Sequence, residues 1–332
     1  MDGFDKKTLK TSRGYTYTYY TSAGDSSLPT LLFQHGFPDH AAMWQQVASG
    51  VKSLNHPIII PDMLGYDGTD KPTDPAAYKF ELMTKDIVEI LDAEGAQKCI
   101  SIGHDWGSMF ASRLYQYHPE RVVGLVNINV AYSPLNPAPY DLDAANAMME
   151  KIFGYALLSY WYVFTAPDGA ALLERNLDLS YEIMHVEADL MKTILCTRGV
   201  MRDILEGKAK YDLNIRPYAR DPAFRKTFID RMRRDGFAAP TCWYKAMITN
   251  VQSESDAQVP QERQKVNVPT LYFGGTGDVV CRPETMKVPV DAGWLPHLEN
   301  AGMIEAGHWT PYETPQEVIG KLEPWLKKNF AK

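Results

Sequence analysis

The stretch Gly103-His104-Asp105-Trp106-Gly107 lies between an apolar run, Cys99-Ile100-Ser101-Ile102, and a segment of helical pattern beginning at Ser108. Small residues two positions either side of a central nucleophile frame a nucleophile elbow, a sharp strand-to-helix turn that lifts one side chain above a sheet. The centre here is a carboxylate where a hydroxyl is usual, and that decides which chemistry can turn over. A serine alkylated at an sp³ carbon becomes an ether, a dead end. A carboxylate attacking the same carbon becomes an alkyl ester, whose carbonyl a later water can attack. Asp105 in this frame points to hydrolysis of an alkylating substrate such as an epoxide or a halide.

Two further groups follow in a useful order. Asp278 closes Gly274-Gly275-Thr276-Gly277-Asp278 directly after an apolar strand run, and His308 sits in Ala306-Gly307-His308-Trp309 before the last helical segment. Nucleophile, acid and then histidine along the chain predict a triad of Asp105, Asp278 and His308. The other strand end that could supply an acid carries Asn127 and Asn129, with no carboxylate until Asp141. Gln34-His35-Gly36-Phe37-Pro38 follows another strand run, where a loop can offer a backbone donor to a developing oxyanion. The expected donors are the N–H groups of Phe37 and Trp106, with Gly36 permitting a tight turn and Pro38 stiffening it.

These groups need strand ends to hold them. Short apolar runs at Thr30 to Gln34, Pro57 to Ile60, Cys99 to Gly103, Val122 to Asn129, Thr270 to Gly274 and Met303 to Glu305 read as strands. Helical segments alternate with them, notably Lys79 to Glu94, Ser108 to His118 and Pro315 to Lys328, which predicts an α/β fold with a mostly parallel central sheet flanked by helices. The alternating Tyr15 to Tyr20 predicts an antiparallel strand at the sheet edge. The rhythm stops near Pro134; from about Asp141 to Asn250 the chain is helical in pattern, rich in Met, Tyr and Leu, without strand signal. The expected organisation is a core of residues 1–134 and 258–332 and an inserted helical cap at 135–257, lying as a lid over the strand ends.

Composition narrows the partners. Of 332 residues 45% are hydrophobic and 23% charged, as in a globular protein with a substantial core. The net charge of −7 argues against nucleic acid or an anionic membrane as partner. The basic cluster Arg231, Arg233 and Arg234, flanked by Asp230 and Asp235, reads as a solvated helix face. No apolar run approaches the ~20 residues that span a bilayer, and Met1 to Lys10 lacks the apolar stretch of a signal peptide, so the expected location is cytoplasmic. The cysteines Cys99, Cys196, Cys242 and Cys281 are scattered, the pattern of reduced thiols rather than a disulfide or metal framework.

His35-Gly36-Phe37-Pro38, Gly103-His104-Asp105-Trp106-Gly107 and Gly307-His308-Trp309 together resemble the soluble epoxide hydrolases of the α/β-hydrolase fold. The resemblance runs from about Thr30 to the C-terminus. It extends into the helical insertion, where that family places two tyrosines that hydrogen-bond the epoxide oxygen. Tyr160-Trp161-Tyr162-Val163-Phe164-Thr165-Ala166-Pro167 resembles the first tyrosine segment, with Tyr160 at the functional position and Tyr162 as the alternative. Gly236-Phe237, Pro240 and Trp243-Tyr244 resemble the second, with Tyr244 at its position. The resemblance implies ring opening by Asp105 to an alkyl ester, hydrolysis by water activated by His308 and Asp278, no metal or organic cofactor, and a vicinal diol as product. It implies a small apolar epoxide and water as the only partners, bound against Phe37, Pro38, Trp106 and Trp309; whether the chain is a monomer or homodimer stays open. A dehalogenase of the same fold shares the Asp nucleophile but leaves the two tyrosines without a role. A hydrolase-like binding protein would not need the triad.

Overall fold

The computed structural model of the protein describes residues 1–330. Its strands are β1 (Asp5–Lys10), β2 (Thr16–Ser22), β3 (Thr30–Gln34), β4 (Ile58–Pro61), β5 (Cys99–His104), β6 (Val122–Ile128), β7 (Thr270–Gly275) and β8 (Leu298–Ile304). They form one sheet in the order β1-β2-β4-β3-β5-β6-β7-β8. From β4 to β8 every neighbouring pair is parallel, while β2 runs antiparallel to both β1 and β4.

β3, β4, β5 and β7 are buried along their whole length, because helices cover both faces of a parallel sheet and each strand must be apolar on both sides. The side-chain period of two sorts them. Leu31, Phe33, Ile58, Ile60, Ile100, Ile102, Val126, Ile128, Leu271 and Phe273 pack on one face with Trp44, Leu322 and Trp325. Leu32, Ile59, Leu125 and Tyr272 pack on the other, with residues of the helices Phe80–Ala93 and Trp106–Tyr117.

Several expectations shift. The tyrosine-rich strand is not the edge: β1, with three lysines and nearly full exposure, pairs outside it. Lysine on an edge strand blocks further pairing but erases the apolar alternation that would reveal the strand. β8 begins at Leu298, five residues before the expected Met303, since Glu299 and Asn300 mask its start. The helix after the elbow starts at Trp106, not Ser108, because the elbow leads into it without a linker. Arg231 is 6% exposed and donates to the Asp39 carbonyl, so only Arg233 and Arg234 belong to a solvated face.

Between β6 and β7 the chain runs through helices from Leu142–Phe153 to Val251–Asp256, interrupted only by an isolated antiparallel bridge between Val186 and Ile215. Its return is tied down by charge. Arg113, on the helix after the elbow, donates to Asp256 at 2.8 Å, both side chains being 2% exposed, and also to the carbonyls of Ser133 and Pro134 where the segment leaves the sheet. Gln252 satisfies Phe80 N–H and Tyr78 C=O, and the Trp243 indole donates to the Leu64 carbonyl among Tyr66, Tyr78, Phe80 and Phe110.

Candidate active site

At the end of β5, Asp105 takes φ 55° and ψ −127°, a conformation that an L-residue holds only when its surroundings enforce it. The flanking glycines do so by close approach. A Cβ on Gly103 would stand 2.0 Å from the Gly107 carbonyl oxygen, and one on Gly107 would stand 2.1 Å from that of Gln34. A Cβ on Gly36 would meet Asp105 Oδ1 at 2.1 Å. The loop therefore lies directly on the carboxylate, and Phe37 N–H donates to Asp105 Oδ1 at 2.7 Å. The Phe37-Pro38 peptide is cis.

Asp278 and His308 meet from the ends of β7 and β8. His308 Nδ1 lies 2.8 Å from Asp278 Oδ2, and its Nε2 lies 3.5 Å from Asp105 Oδ2. All three are buried, at 8% exposure or less. Asp278 Oδ1 accepts the N–H groups of Val280 and Cys281, at 3.0 and 2.9 Å. Burial works to raise the Asp278 carboxyl, but the His308 charge and the hydrogen bonds from His308 and Asn129 outweigh it, so its pKa falls below the ordinary value. Burial likewise opposes the imidazolium of His308, yet the attraction of Asp278 and the hydrogen bonds to both carboxylates raise its pKa well above the usual range.

Three contributors escaped the sequence reading. Asn129, passed over there because it is not an acid, donates from Nδ2 to Asp278 Oδ2 at 2.7 Å, while its Oδ1 accepts from Thr310 at 2.9 Å. The polar Asn127 and Asn129 in an otherwise apolar strand were the available signal. Asp39 accepts from the Trp309 indole at 2.9 Å and the Tyr312 hydroxyl at 2.8 Å, fixing the wall beside His308. His104 pairs through Nε2 with the His308 carbonyl at 2.7 Å, and burial lowers its pKa, keeping it a neutral donor.

Tyr160 and Tyr244 approach from the helical insertion. Together with Phe37, Pro38, Asp105, His308 and Trp309 they line one cavity. Their rings sit edge to face with centroids 6.0 Å apart, and Tyr244 packs edge-on against Trp106 and Phe37 at 5.0 and 5.2 Å. Burial pushes both phenols well above their usual pKa, so both stay protonated donors. Tyr162 points elsewhere: its hydroxyl pairs with Asp143 and the Arg198 guanidinium lies over its ring. Trp106 does not line the first cavity. It faces a second, roomier cavity, open to solvent, which shares Asp105, Tyr160 and Val280 with the first. The carboxylate thus sits where two largely apolar spaces meet.

A family model described as the α/β-hydrolase fold matches residues 29–315. Bifunctional epoxide hydrolase 2 of Rattus norvegicus is 27% identical over 304 residues, covering 91% of this chain and 52% of that relative. This chain therefore spans about half the length of that protein. Epoxide hydrolase A of Mycobacterium tuberculosis is 26% identical over 310 residues, 92% of each chain. Among solved structures, an epoxide hydrolase from an endophytic Streptomyces matches with a TM-score of 0.80 at 22% identity, over 98% of this chain and 96% of that one, a likeness of fold.

Proposed function

The chain belongs to the α/β-hydrolase fold family, whose model spans most of its length, and on that premise we propose that it is an epoxide hydrolase working through an alkyl ester on Asp105. The observation that carries this reading is one cavity lined by a carboxylate at the elbow and two protonated phenols, Tyr160 and Tyr244. The names of its sequence relatives agree with it.

Asp105 attacks one epoxide carbon from the side away from the ring oxygen, while Tyr160 and Tyr244 donate hydrogen bonds to that oxygen. The phenols are weaker acids than free tyrosine, but an alkoxide is far more basic still, so a proton reaches it as the ring opens. Alkylation removes the negative charge 3.5 Å from His308 Nε2. An ion pair at about that distance is worth on the order of 4 kcal/mol at an effective dielectric of ~20. Its loss lowers the affinity of His308 for its proton, so the base becomes available in the intermediate that needs it. His308, steadied by Asp278, then deprotonates water, and the hydroxide attacks the ester carbonyl. Phe37 N–H, already on Asp105 Oδ1, and Trp106 N–H serve the oxyanion. A vicinal diol leaves. Residues 135–257 act as the cap that closes the apolar site over the core, and the substrate is a small apolar epoxide.

One observation favours a second reading. The Trp161 indole N–H is buried with no acceptor other than the neighbouring Tyr160 hydroxyl, and its ring lies 5.6 Å from that of Trp106. Two indoles at such a spacing would suit a departing halide, as in a haloalkane dehalogenase, but a halide needs no proton and leaves Tyr160 and Tyr244 idle. Trapping decides between them. His308→Gln mixed with an aryl epoxide is expected to gain one whole substrate mass on Asp105, found by intact-protein mass spectrometry. No adduct from the epoxide, with turnover of a haloalkane by the unaltered protein, would overturn the proposal.

A further inference from the structure

Cys281 follows the acid of the triad by three residues and plays no part in the reaction above through its side chain. Its sulfur, an oxygen of Asp105 and a ring nitrogen of His308 all lie within 4.8 Å of one another. We propose that these three side chains form a binding site for a thiophilic divalent cation of the zinc class, and that its occupation switches the enzyme off.

The donor set fits such an ion. One thiolate, one imidazole and one carboxylate supply three ligands of a tetrahedron, leaving the fourth position for water. The surroundings are those of a metal-bound histidine. Asp278 Oδ2 lies 2.8 Å from His308 Nδ1 and thereby aims Nε2 at the site, the carboxylate–histidine support that metal ligands commonly have. Phe37 N–H occupies Asp105 Oδ1 and leaves Oδ2 turned toward His308. Cys281 also lines the solvent-open cavity, which gives an ion a way in. Binding sends the Cys281 thiol proton and the Nε2 proton of His308 to solvent and involves no redox change. The sequence held no metal-ligand spacing because the three residues come from three different strand ends. One other group, His40, Asp62 and Asp67, also brings three ligand atoms together among the described residues, but it has no thiol.

The consequence for turnover rests on the reading of the reaction given above, since the ion would occupy both the nucleophile and the base. The site itself does not. Cobalt(II) titrated into the whole 332-residue chain, freed of metal, is expected to bind once per chain with a sulfur-to-cobalt charge-transfer band in the near ultraviolet, displaced by zinc and not by magnesium. Losing an outer-shell partner typically costs about 10–100-fold in metal affinity, so Cys281→Ser and Cys281→Ala should bind at least ~100-fold more weakly and lose the band, whereas His40→Ala keeps it. Absence of the band from the unaltered protein, or binding abolished by His40→Ala and untouched by both Cys281 variants, would overturn the site. Zinc should also stop epoxide turnover by the unaltered protein. Zinc bound at this site without inhibiting turnover would overturn the switch; the band in a protein that turns over no epoxide would leave the site standing and contradict the reading of the reaction.

Discussion

In the proposed reaction the side chains of this site divide into those that react and those that aim them, and substitution separates the two. Tyr160→Phe or Tyr244→Phe is expected to slow alkylation of Asp105 roughly 10–10³-fold, each leaving one donor, with a much larger loss when both are replaced. Tyr162→Phe, whose hydroxyl pairs with Asp143 away from the cavity, should leave the alkylation rate unchanged. Rapid-quench measurement of the first turnover checks all three, and a slow Tyr162→Phe with a normal Tyr160→Phe would reverse the assignment. His308 supplies a prediction in pH. Its folded-state pKa is raised, chiefly by Asp278 against the cost of burial. The stability it contributes is therefore complete below its unfolded value of ~6.5 and lost as pH rises through the raised folded value. In denaturant melts the advantage of the unaltered protein over Asp278→Asn should shrink across that window; an advantage that grows with pH would show that the pair is not charged as described. That Asp105, Asp278 and His308 meet could be read from the sequence because each follows a strand with a distinctive neighbourhood. Asn129 left only the faint signal of a polar residue closing an apolar strand, and Asp39 left none, since its importance lies only in whom it touches.

Elements succeeded or failed as sequence signals according to how apolar they are. The buried β3, β5 and β7 appeared within a residue of their observed ends, because both faces must be hydrophobic. β1 stayed hidden, since an edge strand of Asp5-Lys6-Lys7-Thr8-Leu9-Lys10 carries no apolar period. The junction of insertion and sheet was invisible for another reason: Arg113 and Asp256 are 143 residues apart, and nothing local marks them as partners. Removing one side of a buried pair strands the other charge, at a cost of about 3–5 kcal/mol. Asp256→Ala should accordingly lower the midpoint of thermal unfolding markedly, whereas Asp230→Ala on the exposed face of its helix should barely move it. Equal small shifts in the two variants, followed by calorimetry, would mean that the Arg113 pair does not hold the junction.

Across the whole molecule the candidate site is assembled from two regions of chain. The sheet ends carry Asp105, His308, Asp278 and the Phe37 N–H, while the helices between β6 and β7 carry the two phenols and half of the other apolar lining, Phe164, Met184, Met191 and Leu195. The helical stretch between β6 and β7 was legible in outline, as a βα rhythm that stops near Pro134 and resumes before Thr270. The meeting of two cavities at Asp105 was not, because it depends on how the insertion docks through Trp243, Gln252 and Asp256. What unites the two regions is a single claim, that the carboxylate of Asp105 becomes part of the product. Hydroxide that attacks the ester carbonyl leaves the first C–O bond intact, so the added oxygen of the diol originates in the protein. One turnover in ¹⁸O-labelled water, with enzyme in excess over a racemic aryl epoxide, tests this most directly. Unlabelled diol is expected, with ¹⁸O in the Asp105 peptide of the recovered enzyme; labelled diol on that first turnover, with no label in Asp105, would show that water and not the carboxylate attacks the epoxide.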